Sequence, residues 1–400
     1  LYTVFDAPEA AETKIVQNAA RRFEFGWVIL VTPDDYRAYP INSAGLKQAI
    51  IEFRAALSFD KYDPRPLAGK IYNALFRQVS ATRKTTLEAD LREYFKTRPA
   101  ANKTLMWSLD GALRYVPMAA LHDGRQYLIE NYRVTVFNKN SFPSLTAENQ
   151  AGWRALGFGV SEKRPGFEPL PGVAVELGAI IRETAGQKGV LPGDIKLNDE
   201  FTKSEFFKIA DRRDDDAFPV VHVASHYSFN PTGDVNDSFL LIGDGHLTFG
   251  ELKDKENLFG RVDLLTLSAC DTATAGNGTE SESLPFLAQK LGAKSVIASL
   301  WLVDDDATPR LMTEFYRRRT QNPRMPKAEA FRQAQLSLLN GGETPMTNVA
   351  AAGEAAAKRG SVLTADKTAK INLPLFRRNA KKPFAHPFYW SPFVLFGNWR

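Results

Sequence analysis

The chain carries one cysteine and five histidines, so its thiol and imidazole chemistry is confined to a few positions. Cys270 sits in DLLTLSACDTATAGNG, residues 263–278, where an apolar run gives way to a Gly- and Thr-rich turn. His226 follows a similar apolar run, PVVHVAS, residues 219–225. A thiol at its free pKa of about 8.5 is mostly protonated at neutral pH, and only the thiolate attacks. A neighbouring imidazole lowers that pKa, takes the proton and later gives it to a leaving amine. Backbone N–H groups just past a strand are clear of the ladder and can face a developing oxyanion. Hydrolysis of this kind needs no metal and no cofactor. Each residue alone also has a plain reading, since free cysteines and many histidines are ordinary core residues.

The remaining candidates weigh less. His222 lies four residues before His226 on the same run, about 13 Å away at roughly 3.3 Å per residue. That is too far to share a metal, and His222 reads as a satisfied core or supporting residue. His246 falls in a hairpin, His122 beside a turn, and His386 at a Pro-flanked entry to the last strand. No H-E-x-x-H, Walker-type glycine loop or G-x-S-x-G occurs, which removes the usual zincin, nucleotide and serine-hydrolase readings. Asp304-Asp305-Asp306 follows a third apolar run that contains Trp301. An aspartate there caps the next helix, or lines a pocket and selects a Lys or Arg side chain; three carboxylates in a row can do both. Trp301 reads as core, or as a wall of that pocket.

These residues need a frame that brings strand ends together. Residues 151–340 alternate strands and helices: strands at 155–160, 219–225, 262–269 and 295–303, helices at 173–183, 202–211, 281–292, 306–319 and 326–339, and a hairpin at 237–249. The pattern predicts a largely parallel sheet covered by helices on both faces, with ligands at the carboxyl ends of its strands. If the strands are neighbours, His226 and Cys270 meet at one edge. Residues 1–150 read as a mixed α/β region. GWVILV (26–31) is a strand, and Leu46, Ile50, Phe53 and Leu57 mark a helix capped by Asn42 or Ser43. LAGKIYNALF (67–76) is a second helix, and 104–137 are short strands with hairpin signals at Asp110-Gly111 and Asp123-Gly124. Residues 340–383 are Ala-, Gly- and Lys-rich and read as a mobile insertion open to self-cleavage; 388–399 close the chain as a strand.

Four hundred residues, 44% apolar and 24% charged, describe an ordinary globular protein. The formal net charge of +5 is mild for this length. The clusters Arg317-Arg318-Arg319, Arg377-Arg378 and Lys381-Lys382 lack interleaved aromatics, so direct nucleic-acid binding is not expected. A lone cysteine forms no intrachain disulfide and no thiolate-rich zinc site, which fits a reducing cytoplasm. No apolar run approaches the roughly 18 residues needed to span a bilayer, and no signal peptide is visible. The first residue is Leu1 rather than Met, and a natural N-terminus upstream is expected.

Four segments, VVHVASHYSFNP (220–231), LLTLSACDTATAGNG (264–278), GAKSVIASLWLVDDDATPRLMTEFY (292–316) and HPFYWSPFVLFGNW (386–399), together resemble a CHAT domain. DGALRYVPMAALHDGRQYLIE (110–130) resembles the front part of such domains. These are caspase-like, separase-related cysteine peptidases, often fused to tetratricopeptide repeats in bacteria. The resemblance implies a caspase–haemoglobinase-like, mainly parallel sheet flanked by helices. It also implies an N-terminal α/β, pseudo-protease-like subdomain over 1–150 and a peptidase core over 151–400. It puts the catalytic pair on His226 and Cys270, the oxyanion-hole N–H groups on Tyr227 and Cys270, and the pocket on Asp305, Asp304 and Trp301. In separases an L-W-x-V-x-D aspartate holds the arginine before the scissile bond, and that position here is Asp305. Where caspase-type enzymes follow the histidine with glycine, this chain has Tyr227, which adds side-chain bulk at that point. The implied function is a cytoplasmic endopeptidase acting on a protein substrate, activated by a partner or an upstream repeat region, with no metal, cofactor or membrane. The alternative is a catalytically silent CHAT scaffold or regulatory module.

Overall fold

A computed structural model describes residues 1–5, 26–80, 83–98, 103–148, 150–209, 216–228, 230, 234–269, 283–342, 358–359 and 373–400. The chain divides into two units, Leu1–Val136 with Thr368–Phe376, and Phe137–Lys367 with Arg377–Arg400. In the first unit β1 (Tyr2–Phe5), β2 (Gly26–Val31) and β3 (Tyr36–Ile41) form an antiparallel sheet in sequence order. Helix α1 (Leu46–Leu57) buries the expected stripe Leu46, Ile50, Phe53 and Leu57 and packs on α2 (Arg65–Phe76). It starts later than the polar residues suggest, because Asn42 spends its side chain on a turn to Ala44 N–H. Helix α3 (Leu87–Lys96) is capped by Thr86, whose hydroxyl accepts from Ala89 N–H.

The hairpin expected at Asp110-Gly111 is not formed. β4 (Thr104–Trp107) and β5 (Arg133–Val136) pair in parallel, so the chain between them is a crossover. Asp110 instead accepts from Gly111 N–H and caps the short 3-10 helix Gly111–Tyr115, with Gly111 at φ 54°. Asp and Gly favour either use, and only the strand direction decides. Asp123-Gly124 does turn the chain, between the antiparallel bridge partners His122 and Tyr127.

In the second unit the elements follow as β6 (Ala155–Gly159), α4 (Pro171–Ile180), β7 (Ile181–Arg182), β8 (Leu191–Leu197), α5 (Lys203–Phe207), β9 (Val220–Ala224), β10 (Tyr227–Ser228), β11 (Phe239–Ile242), β12 (Gly245–Thr248) and α6 (Phe249–Lys253). Then come β13 (Leu264–Ser268), α7 (Leu284–Lys290), β14 (Ser295–Ser299), β15 (Val303–Asp304), α8 (Ala307–Gln321), α9 (Lys327–Asn340), β16 (Lys358–Arg359), α10 (Pro387–Trp390) and β17 (Phe393–Gly397). The main sheet of this unit runs β17-β14-β13-β9-β6-β8-β7 and is parallel except for β17. Strands β6, β9, β13 and β14 are buried at every position, as strands covered on both faces must be. This is the α/β class with a mainly parallel sheet that the alternation of elements predicts. The run 295–303, read as one strand, is two, because β15 turns off to pair with β16. The closing segment begins with a helical turn before its strand.

Side-chain alternation sorts the two faces. Val221 and Val223 point into a large apolar cluster with Phe206, Phe249, Leu252 and Leu287. Ala224 points to the opposite face, against Val173 and Leu177 of α4. Helix α4 lies so close to β6 that a Cβ on Gly159 would come within 2.7 Å of both Leu177 and Val173. Strand β8 carried no strand signal, since LPGDIKL contains Pro, Gly and Asp. Its Gly193 lies hard against the Ala155 carbonyl, where any Cβ would be 1.8 Å from that oxygen. The segment read as an insertion, 340–383, lies outside the described residues over 343–357 and 360–372. Among the described residues no helix is long and apolar enough to cross a membrane.

Candidate active site

β9 and β13 are adjacent and parallel, with Val220 opposite Leu264 and Ala224 opposite Ser268. His226 and Cys270 each stand two residues beyond that last pair in sequence. Cys270 itself, with Asp271 to Gly278, lies outside the described residues. The exit of β13 is fixed up to Ala269, whose carbonyl accepts from the Ser299 hydroxyl at the end of β14. The carboxyl ends of these three strands therefore form one edge, as expected for a parallel sheet.

His226 is only 3% exposed. Its Nε2–H donates to the Glu168 carbonyl at 2.8 Å. A carbonyl only accepts, so this bond puts the proton on Nε2 and the lone pair of the neutral ring on Nδ1. The ring packs against Phe167 at 5.1 Å. Behind it the hairpin β11–β12 holds the backbone: the Ser225 hydroxyl donates to Leu241 C=O at 2.6 Å, and Leu241 N–H donates to His226 C=O at 2.9 Å. Bonded pairs alternate along an antiparallel ladder, and Ser228 faces Phe239 two residues on, so the N–H of Tyr227 points away from β11. The Tyr227 side chain is 4% exposed and belongs to the large apolar cluster. Its bulk is core filling, not an obstruction at the surface.

One face over, His222 is wholly buried and satisfied on both nitrogens, as its position in the strand predicts. With Glu176 ionised, Nε2–H donates to Glu176 Oε1 at 2.9 Å and Nδ1 accepts from the Tyr316 hydroxyl at 3.1 Å. The Tyr316 oxygen in turn lies 2.8 Å from Thr266 Oγ1 on β13. Burial pushes the Tyr316 phenol well above its ordinary range. This chain of contacts ties β9 and β13 to α4 and α8. Glu176 gave no sequence signal, because a carboxylate in the middle of an apolar helix looks like an outward-facing residue.

The acidic run divides its labour. Asp304 Oδ1 accepts from the N–H groups of Asp306 (3.1 Å) and Ala307 (2.8 Å), so Asp304 caps α8. Burial raises its carboxyl above the usual carboxylate range, against the pull of those two donors. Asp306 is partly exposed and pairs with Arg310 at 3.1 Å. Asp305 is 7% exposed, and its Oδ2 accepts from Gly172 N–H at 2.8 Å in the first turn of α4. A Cβ on Gly172 would fall 2.4 Å from both Asp305 Oδ1 and the Asp305 carbonyl, so the carboxylate reaches this position only because residue 172 is glycine. Trp301 is buried, and its Nε1–H donates to Phe388 C=O at 3.4 Å.

The structure thus brings His226 and Asp305 onto one short stretch, Glu168-Pro169-Leu170-Pro171-Gly172: the first residue holds the histidine and the last holds the aspartate. Four residues of extended chain span at most about 14 Å, and two prolines restrict the stretch further. This link had no sequence signature beyond the paired prolines, since both of its contacts are made by backbone atoms. Among the described residues no group of His, Cys, Asp and Glu could hold a metal ion.

No curated protein matches the sequence. Among solved structures, the Arg-specific cysteine proteinase gingipain R aligns over 78% of this chain with 10% identity and a TM-score of 0.44. The chain covers 66% of that structure, just under two thirds of its length. A complex of Porphyromonas gingivalis RgpB pro- and mature domains aligns over 80% of this chain and 70% of its own, at 10% identity and a TM-score of 0.42. The family model of the CHAT domain matches residues 65–398, most of the sequence, and the chain belongs to the CHAT domain family.

Proposed function

We propose that this CHAT domain is a cysteine endopeptidase that cuts a partner protein, with Cys270 as nucleophile and His226 as general base. The observation that carries the proposal is the bond from His226 Nε2–H to the Glu168 carbonyl, which turns the basic nitrogen into Nδ1 and anchors the ring. In this reading Nδ1 takes the thiol proton and the thiolate attacks the scissile carbonyl carbon. The N–H groups of Tyr227 and Cys270 stabilise the tetrahedral oxyanion. The imidazolium then protonates the leaving amine as the C–N bond breaks, and a thioester remains on Cys270. Water, deprotonated by the same Nδ1, hydrolyses that thioester and regenerates the thiol.

A preference for Lys or Arg before the scissile bond is assigned to Asp305, beside Asp304 and Trp301, because Asp305 shares a backbone anchor with His226. Activation by a partner protein or by an upstream repeat region belongs to the same reading, as does a cytoplasmic setting. The test is cleavage of a proteome-derived peptide library by the chain and by Cys270→Ala, with Asp305→Ala alongside. The expected result is cleavage after basic residues that Cys270→Ala abolishes and Asp305→Ala loses selectively. Equal cleavage by the parent and Cys270→Ala would leave the scaffold reading in its place.

A further inference from the structure

The first unit holds a cavity of about 660 Å³, where α3, the start of β4 and the turn at 123–126 converge. Its lining includes the cations Arg92, Lys96, Lys103 and Arg125 and the aromatic rings of Phe95 and Tyr132. The two carboxylates that also line it are already engaged. Glu88 pairs with Arg77 at 2.9 Å and with Arg92 at 3.3 Å. Asp123 accepts from the N–H groups of Arg125 and Gln126, at 2.7 and 2.9 Å, and closes its own turn. Lys96 meets only Glu93, at 3.5 Å, with both side chains mostly exposed, a pair worth little. Lys103 and Arg125 have no ion-pair partner among the described residues. Five cations, Arg92, Lys96, Arg98, Lys103 and Arg125, from three separate segments therefore face one space against two lining carboxylates, an excess of positive charge that favours entry of an anion.

We infer that this cavity binds a nucleotide carrying two or more phosphates. The cations suit a short run of phosphates, Arg125 by its planar fork and Lys96 and Lys103 as point charges. Tyr132 is half-buried and braced by Phe95 at 5.6 Å, so its ring can stack on a planar base at the same mouth. The volume falls within the range of small-ligand sites and is small for an extended acidic peptide. No glycine-rich phosphate loop is involved; side-chain cations replace it. The site lies within one unit and does not depend on the peptidase reading.

Calorimetric titration of the full chain with ATP, pyrophosphate and adenosine tests this. ATP should bind more tightly than pyrophosphate, and adenosine should show no measurable heat. Lys103→Ala and Arg125→Ala, both at side chains with solvent access, should each weaken ATP about tenfold. Tyr132→Leu should weaken ATP while leaving pyrophosphate unchanged. Absent ATP binding, or binding indifferent to Lys103→Ala and Arg125→Ala, would overturn the site. Pyrophosphate binding as tightly as ATP, or displacement of neither by the other, would overturn the nucleotide assignment.

Discussion

The substitution Gly172→Ala reads out the contact between Asp305 and the stretch that also anchors His226. Gly172 does not adopt a positive φ, so alanine meets no backbone strain there. At such a position in or near a helix, Gly→Ala ordinarily stabilises by about 0.4–1 kcal/mol. Here the added Cβ would stand 2.4 Å from the Asp305 carbonyl as well as its Oδ1, so backbone and not merely a flexible side-chain end must move. Overpacking of this kind costs about 1–3 kcal/mol. Weakening the bond from Gly172 N–H to a buried carboxylate adds about 1.5–3 kcal/mol. Because the two losses relieve one another in part, the expected net destabilisation is about 2–4 kcal/mol. Gly178, in the same helix and with nothing near its Cβ position, is the internal control: Gly178→Ala should stabilise by about 0.5–1 kcal/mol. Urea unfolding of both variants beside the parent gives the comparison directly. If Gly172→Ala is as stable as Gly178→Ala, the Asp305 anchor is not as described.

Three further outcomes follow from the packing. Tyr227→Ala should cost about 3–5 kcal/mol on denaturant unfolding, as a core aromatic does; a neutral effect would return its side chain to the surface. Asp263 and Lys327 form a wholly buried pair at 3.0 Å, with Trp153 Nε1–H donating to the other Asp263 oxygen. Burial already lowers the Lys327 ammonium pKa, and Asp263→Ala, which strands that charge, should cost about 3–5 kcal/mol; a loss below about 1 kcal/mol would contradict the pairing. Tyr316→Phe removes the hydroxyl shared by His222 and Thr266 and should destabilise by about 1–3 kcal/mol, measured by the same unfolding curves, with no change if that network is not formed.

The sheet was legible because its central strands are short, mostly apolar runs buried at every position, and the end of PVVHVAS marked the sheet edge where His226 emerges. That one of the three aspartates caps the next helix was also legible, but which one was not: Asp304 does so by reaching the N–H groups of Asp306 and Ala307. What the sequence hid are features made by backbone or by close approach. Strand β8 looks unlike a strand, because Gly193 is selected for contact with Ala155 and not for strand propensity. Asp110-Gly111 carries the same letters whether it turns a hairpin or caps a 3-10 helix. The Glu168 carbonyl that orients His226 has no side-chain signature at all, and neither has the Gly172 N–H that holds Asp305.

The most direct test of the dyad uses the fact that Cys270 is the chain's sole thiol, so alkylation reports on it alone. The rate of iodoacetamide modification is measured against pH for the folded chain and for His226→Ala. The proposed pairing predicts a midpoint clearly below the free-thiol value of about 8.5 in the parent, returning toward it in His226→Ala. A midpoint at or above the free value in both proteins, with equal rates, would contradict a catalytic partnership between Cys270 and His226.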